Sequence, residues 1–433
     1  MGINSCGTTL IDNGTFKNIG AISWDTTAKT AGFTAVAGNG YFVNTTSGAI
    51  TVTLPSSPTA GDAVAIADYA NTADTNNITI GRNGSNIQGV ANDFIIKIEG
   101  GSVLLIYVDA TQGWLSVDSA VASDIAEGPT FTVATGGTIT TCGDCKIHTF
   151  TGPGTFTVCS VGNPAGSGSN VDYLVVAGGG GSDRHRSGGA GAGGYRASGY
   201  GPAPLQGTAL PISAQGYPIT VGAGGSGNSG PFPGVANPGS NSIFSSITSA
   251  GGAKGTTTTA AGAAGGSGSG GATPAQPGGS GNTPPTSPPQ GNPGGIGSPA
   301  NGGGAGSGGG GGGATATGQA GQTPNSPNPD VRAGGNGGAG APNIITGSNI
   351  TYAGGGGGGG AALPGGTGGA GGAGGGGAGG NGTGGPGTAG TANTGGGAGG
   401  AGGLCAVPGP SQPTSSLGAN GGSGVVIIRY KYQ

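Results

Sequence analysis

VDYLVVAGGGG (171–181) and GGSGVVIIRYKY (421–432) are the stretches that decide how this chain is read. Each joins an apolar β-strand pattern to a run of glycine. The first strand opens a glycine field and the second closes it. Of the 114 glycines in 433 residues, 24 precede Gly178, which leaves 90 for the last 256 positions. Ordinary chains carry about 7% glycine, and about one third is the level of collagen or of low-complexity disorder. A disordered segment has no need of apolar strands at both of its ends. The field therefore reads as a folded body held shut by strands.

Inside it, the residues that are not glycine recur every third position. The rows are Thr367, Ala370, Ala373; then Ala378, Asn381; then Thr383, Pro386, Ala389; then Ala398, Ala401, Leu404. Polyproline II has three residues per turn and a rise of about 3.1 Å. A Gly-Gly-X triplet in that helix sets X in one row and leaves the other two faces bare. Bare faces let neighbouring helices approach until backbone N–H and C=O groups pair between them, which satisfies groups that burial would otherwise strand. Glycine loses the most entropy on ordering, so only a dense hydrogen-bond lattice offsets its cost. The phase slips between rows exclude one long collagen-type helix. They predict short legs folding back on each other. The interruptions at 273–290, 319–333, 341–352 and 404–417 are rich in Pro, Asn, Ser, Thr and Gln and read as loops between legs.

Upstream the material changes. Ile50, Val52 and Leu54, then Val64 and Ile66, then Ile78 and Ile80 alternate with period two. FIIKI (94–98) and VLLIYV (103–108) are more continuously apolar, as in strands covered on both faces. Residues 1–120 thus read as a small N-terminal antiparallel β-domain, with Trp24 and Trp114 as core or interface residues. A connector follows at 121–137. Residues 138–177 read as a β unit leading into the glycine-rich domain, 178–433, which strand 425–432 closes. KIHTFTGPGTFTVCSV (146–161) reads as a hairpin turning at Gly152-Pro153-Gly154, which places Cys145 and Cys159 on neighbouring strands. YPITV (217–221) and SIFSSIT (242–248) add further strands. The fold class expected is all-β with a bundle of polyglycine-II-like helices and essentially no α-helix. The apolar supply is thin for a monomer, which favours self-association as a trimer.

Composition also excludes functions. Only 6% of residues are charged and the net charge is −3, so no basic surface is available for nucleic acid. No run of 18 apolar residues could cross a membrane as a helix. The N-terminal MGINSCGTTLIDNGTF lacks a basic and an apolar signal region, so synthesis in a cytosol without a secretion signal is expected. Asn-x-Ser/Thr triplets, among them those at Asn13, Asn77, Asn83 and Asn349, then carry no glycan. The five cysteines are too sparse for a disulfide framework. Cys142, Cys145, His148 and Cys159 leave three readings open: a zinc site of irregular spacing, a disulfide, or free thiols. GxGxxG matches such as Gly306, Gly308 and Gly311 arise by chance in so much glycine, and none links a strand to a helix. No enzyme and no cofactor is expected. His148 sits mid-strand, and His185, in Ser182-Asp183-Arg184-His185-Arg186, belongs to an exposed loop that pairs an acid with a base but has no second carboxylate for catalysis, with contact to a partner or ligand as the alternative.

The two closing stretches, with GAGGYR (191–196), YPITVGAGG (217–225) and SNSIFSSITSAGG (240–252), resemble the glycine-rich domain of bacteriophage tail fibres. GYFVNTTSGAITVTLP (40–55), NGSNIQG (83–89) and IYVDATQGWL (106–115) resemble a β-domain common in such fibres, particularly of aquatic phages. The field itself is similar to the polyglycine-II sandwich of T-even-like phage adhesins, in which packed glycine helices form a rigid core and loops at one end touch the receptor. The resemblance implies a virion protein, assembled in the host cytoplasm, that mediates adsorption. Its partners would be a host surface glycan or outer-membrane protein, other tail or baseplate proteins, and copies of itself in a homotrimer, with neither nucleic acid nor membrane insertion. The expected contact residues are Gln322, Asn325, Asn328, Asp330 and Arg332. The alternative is a baseplate, neck or capsid-surface component with no receptor contact.

Overall fold

The computed structural model describes residues 3–5, 8–12, 15–16, 22–118, 129–230, 235–257, 259–299, 306–322, 333–362, 365–403 and 417–433. The chain divides into two compact units, Met1–Gly128 and Pro129–Gln433. Its regular structure is all-β; among the described residues the helical structure is the short 3-10 turn Ala203–Leu205.

In the first unit β1 (Ile3–Ser5), β2 (Thr8–Asp12) and β3 (Thr15–Phe16) form a small antiparallel meander. Two larger sheets follow. One holds β4 (Ser23–Lys29), β6 (Asn39–Val43), β8 (Ala63–Asp68), β11 (Ser102–Asp109) and β12 (Gly113–Asp118). The other holds β5 (Phe33–Thr34), β7 (Ile50–Thr53), β9 (Ile78–Gly81) and β10 (Phe94–Ile96). From β4 to β9 the chain alternates between the sheets, so strands within each sheet run parallel. Trp24 lies beside Gly40, Gly40 beside Ala65, Phe33 beside Val52 and Ile50 beside Ile78. Only β10, β11 and β12 add antiparallel pairs. This corrects the antiparallel expectation. Period-two alternation looks the same whichever way a partner strand runs, and the coils differ in length, so no repeat announces them.

Val43, Ile66, Leu105 and Trp114 from one sheet meet Val52, Ile78, Ile80 and Phe94 from the other in a single core. Trp114 is fully buried, whereas Trp24 is 43% exposed and rests on Phe42, ring centroids 4.8 Å apart.

The second unit begins with β13 (Val133–Thr135), inside the expected connector, and β14 (Thr138–Cys142). β15 (Cys145–Phe150) and β16 (Gly154–Ser160) do not pair with each other. β15 joins a sheet of order β14, β15, β25 (Val425–Lys431), β17 (Asn170–Val176), β18 (Tyr195–Ala197), with β19 (Leu210–Pro211) paired to β17. β16 joins a second sheet with β13, β20 (Gly216–Thr220), β21 (Ser242–Phe244) and β22 (Ile247–Ser249). Residues 151–153 are therefore a corner between sheets, not a hairpin turn. Phe150 and Phe156, on either side of it, both enter the core between the sheets.

The two closing stretches pair with each other. β25 lies antiparallel to β17, with Val176 opposite Val425 and Leu174 opposite Ile427. Both strands are covered on both faces, which explains their unbroken apolar runs. Tyr173, Val175, Val426, Ile428 and Tyr430 enter the core between the sheets. Leu174, Val176, Val425 and Ile427 enter a second core on the other face, with Tyr195, Ile345 and Tyr352.

From these strands the glycine legs run out and back. The leg at 187–194 shows their rule. Gly188, Gly191 and Gly194 donate their N–H groups to Thr256, Ala253 and Ala250 of one neighbour. Gly189 and Ala192 donate to Gly309 and Gly312 of a second, and Ala190 and Gly193 to Ala398 and Gly395 of a third. The carbonyls of the same leg accept from three further legs: from Gly180 and Ala177, from Gly270 and Ser267, and from Gly356 and Gly359. The leg thus has six neighbours and turns to a new one at each residue, as a threefold helix must. The all-glycine runs 308–313 and 354–360 have the same surroundings. A Cβ at Gly311 would enter the carbonyl oxygen of Ala190, and one at Gly358 that of Gly308. On outer legs one row faces solvent: Thr367, Ala370, Ala373, Ala378, Asn381, Thr383, Pro386 and Ala389 are exposed. Ala398 and Ala401 are fully buried, so their row lies inside the lattice.

Gly311→Ala is expected to destabilise the second unit by about 3 kcal/mol, the upper range for overpacking, because rigid backbone surrounds the site. Ala370→Ser, on an exposed row, is expected to change stability by less than about 0.5 kcal/mol. Urea unfolding of the two variants checks the contrast.

Candidate functional site

The legs have two kinds of connection. At one end they meet the sheets. There the Pro-rich segment 281–290 ends on Gln290, which is 1% exposed. Its carbonyl accepts from Tyr195 N–H (2.8 Å), its Oε1 accepts from Ala250 N–H (2.8 Å), and its Nε2 donates to Pro284 O (2.8 Å). The segment 341–352 is also here, as a hairpin of β23 (Ala341–Asn343) and β24 (Ile350–Tyr352). Asn343 Nδ2 donates to the buried Tyr195 hydroxyl at 2.7 Å. Burial pushes the Tyr195 phenol up to about 12, although the Asn343 contact opposes this. The expected interruption 273–290 is thus split, 273–276 turning at the other end and 281–290 serving, like 341–352, as a fitting between lattice and sheets.

The tight turns near Ala314, Gly374 and Gly395 also lie at the sheet end, whereas at the other end hydrogen bonds alone tie the described legs together. Thr259 N–H donates to Thr273 O (3.0 Å), Ala275 N–H to Ser298 O (2.8 Å) and Ser298 N–H to Ser307 O (2.9 Å). Ser307 Oγ donates to Gln322 O (2.7 Å), and Gln322 N–H to Ala333 O (3.0 Å). Gly334 N–H continues the chain to Thr367 O (2.9 Å). Gln322 thus stands at this far end, with its backbone held on both sides and its residue exposed. Asn325, Asn328, Asp330 and Arg332 lie outside the described residues. Their flanking residues Gln322 and Ala333 are brought together here.

The charged cluster 183–186 shares this end. It is more enclosed than an exposed loop. Asp183 is buried; its carboxylate accepts from Asn228 Nδ2 (2.7 Å) and Arg184 N–H (2.8 Å). Arg184 donates from Nη1 to Gly230 O. Ser187 Oγ donates to Asp183 O (2.8 Å) and accepts from Ala401 N–H (2.9 Å), which pins the start of the next leg. His185 and Arg186 take left-handed backbone, φ 59° and 51°, to make the reversal in so few residues. Burial, then the cations of Arg186 and Arg184, hold the His185 ring below the ordinary histidine value. The cluster thus combines an imidazole of lowered proton affinity with two neighbouring arginine cations at the end of the bundle, and its density of charge in a nearly uncharged field is what marks it in the sequence.

The four residues of the zinc reading do not converge. Cys145 and Cys159 lie in different sheets. His148 is fully buried, with Nδ1 2.7 Å from Gly136 O and Nε2 3.0 Å from the Tyr430 hydroxyl. Among the described residues no three His, Cys, Asp or Glu side chains are placed to hold a metal ion. Cys142, Cys145 and Cys159 are free thiols. No helix among the described residues is long and apolar enough to cross a membrane.

A family model described as a glycine-rich domain matches residues 151–431. The chain belongs to the glycine-rich domain family. The match starts at the corner between β15 and β16 and ends on the last residue of β25, so it takes in every leg of the lattice. No curated protein matches the chain.

Burial of His148 lowers its proton affinity, chiefly by desolvation. The unfolded chain then binds a proton that the folded chain refuses. Stability of this glycine-rich unit is therefore full above the ordinary value of 6.5 and falls as pH drops below it towards the folded-state value. Urea midpoints measured at about pH 7.5 and about pH 5.5 check this; His148→Gln is expected to reduce the difference, leaving the share that His185, shifted in the same direction, contributes.

Proposed function

We propose that this chain is a receptor-binding protein of a bacteriophage tail, a fibre or adhesin that attaches the particle to a host surface glycan or outer-membrane protein. The observation that carries the reading is the division of labour along the legs. The lattice consumes backbone groups and admits inside it few side chains larger than those of alanine and serine, while the connections at the far end keep varied polar residues. Such a body has a rigid interior and one surface free to change sequence without touching a core. The lattice positions the loops, and many copies on one particle convert weak single contacts into firm attachment. Gln322 and the adjoining Asn325, Asn328, Asp330 and Arg332 are the proposed contacts, with 183–186 beside the same end of the bundle. The first unit would join the rest of the tail and bring three copies together, with the exposed Trp24–Phe42 pair as part of that contact.

Replacing 323–332 by a glycine-serine linker, with Gln322 and Ala333 retained, is expected to reduce adsorption by on the order of tenfold or more, the scale of one lost contact of about 1.4 kcal/mol. Ile344→Ser, in the hairpin at the sheet end, is expected to leave adsorption unchanged. Adsorption equal to wild type with the linker would remove these residues from the contact surface. Light scattering of the purified chain is expected to give a trimer mass, and Trp24→Glu is expected to lower it towards a monomer without shifting unfolding of the second unit.

A further inference from the structure

We propose that Cys142 and Cys145 are a redox-convertible dithiol, which closes to a disulfide across the turn of the β14–β15 hairpin when a small disulfide oxidant reaches it. The two residues are direct partners in the antiparallel register, separated only by Gly143 and Asp144. Gly143 takes left-handed backbone, φ 56°, at the first turn position. Antiparallel partners have Cα atoms about 4.5–5.5 Å apart, inside the window of about 4.4–6.8 Å that a disulfide spans. Direct partners also present their side chains on the same face of the sheet.

Both thiols are free and half-buried, so they are neither locked in a core nor placed on open surface. Their surroundings are defined on every side. Arg429 of β25 stands beside Ile147 in register, on the face shared with Cys145. Its guanidinium lies 4.6 Å from the Tyr200 ring centroid and donates to Ile345 O at 3.1 Å. Gly347, in the turn of the β23–β24 hairpin, sits so near that a Cβ there would be 2.7 Å from Cys142 Sγ. Glycine at 347 thus leaves the Cys142 sulfur its space. Cys159, exposed on β16 in the other sheet, has no such partner among the described residues.

The chemistry balances with oxidised glutathione as the oxidant. One cysteine, as thiolate, attacks the glutathione disulfide, forms a mixed disulfide and releases one glutathione thiol. The second cysteine, as thiolate, attacks the protein sulfur of that mixed disulfide and releases the other. Two protons and two electrons leave the protein, one S–S bond forms and one breaks. The loop closed is tiny, so the effect is local: it ties edge strand β14 to β15 at the turn.

The test is peptide mass mapping of the full chain after incubation with oxidised glutathione and alkylation of remaining thiols. The expected peptide containing residues 142–145 is two hydrogens lighter, with neither alkyl group nor glutathione, while Cys159 in the same sample carries one or the other. In Cys145→Ser or Cys142→Ser, the remaining thiol is expected to retain a glutathione that wild type does not. Wild-type protein in which Cys142 and Cys145 are both alkylated, or in which either keeps a glutathione, while Cys159 has reacted, would overturn the proposal.

Discussion

The exchange of backbone hydrogen bonds between glycine legs is the interaction on which the rest of this molecule depends. Ordering a residue costs about 1–2 kcal/mol, and one hydrogen bond returns about 0.5–1.5 net. A single leg, or a pair, therefore has no stability of its own. Only when each residue both donates and accepts, as at 189–192, does the balance approach closure. Such satisfaction requires six neighbours, and six neighbours leave volume for a Cβ at few positions, such as Ala190, Ala192, Ala398 and Ala401. The glycine content is thus a consequence of coordination number. Elsewhere alanine stands on rows that face solvent (Ala370, Ala373), and serine stands where its hydroxyl replaces a backbone partner, as Ser187 Oγ does for Ala401 N–H.

The sheets supply what the lattice lacks, a nucleus with ordinary side-chain burial. β17, β20 and β22 each run directly into a leg, and legs run directly into β18, β21 and β25. Strand spacing and direction therefore set the starting positions of the helices. Gln290 shows how closely the two materials are joined: one buried side chain satisfies both a leg and the sheet end, at Ala250 and at Pro284. Among the described residues the far end has no such template and is held by leg-to-leg bonds and by the side chains of Asp183, Arg184 and Ser187.

Much of this architecture was legible in the residues. The strands that bound the field, the threefold rows and their slips all correspond to elements of the fold, because each reflects a strictly local rule of geometry. Partner identity is not local, and there the reading failed. β15 and β16 flank a Gly-Pro-Gly that looks like a hairpin turn, yet β15 pairs instead with β25 far along the chain. The parallel coils of the first unit were missed for the same reason. Among the interruptions, composition could not separate segments that cap the sheet end, 281–290 and 341–352, from those that reach the far end. Proline and asparagine serve both places equally well. Of the expected contact residues, Gln322 can be located, and its position follows from the parity of legs between it and the sheets, which no local pattern encodes.

The placement of β25 has a consequence for synthesis. It fills the middle of a sheet, between β15 and β17, so that sheet has a missing central strand until residue 431 has been made. A nascent chain can collapse earlier and pair Val176 with Tyr195 of β18, but it cannot pair Val176 with Val425 or close the second core. Contacts of such sequence separation are slow to find. Every leg between them must wait, unanchored at one side, for the chain to return. The ribosome thus delivers this unit as one indivisible piece, and an incomplete chain exposes apolar strand edges rather than a smaller stable domain.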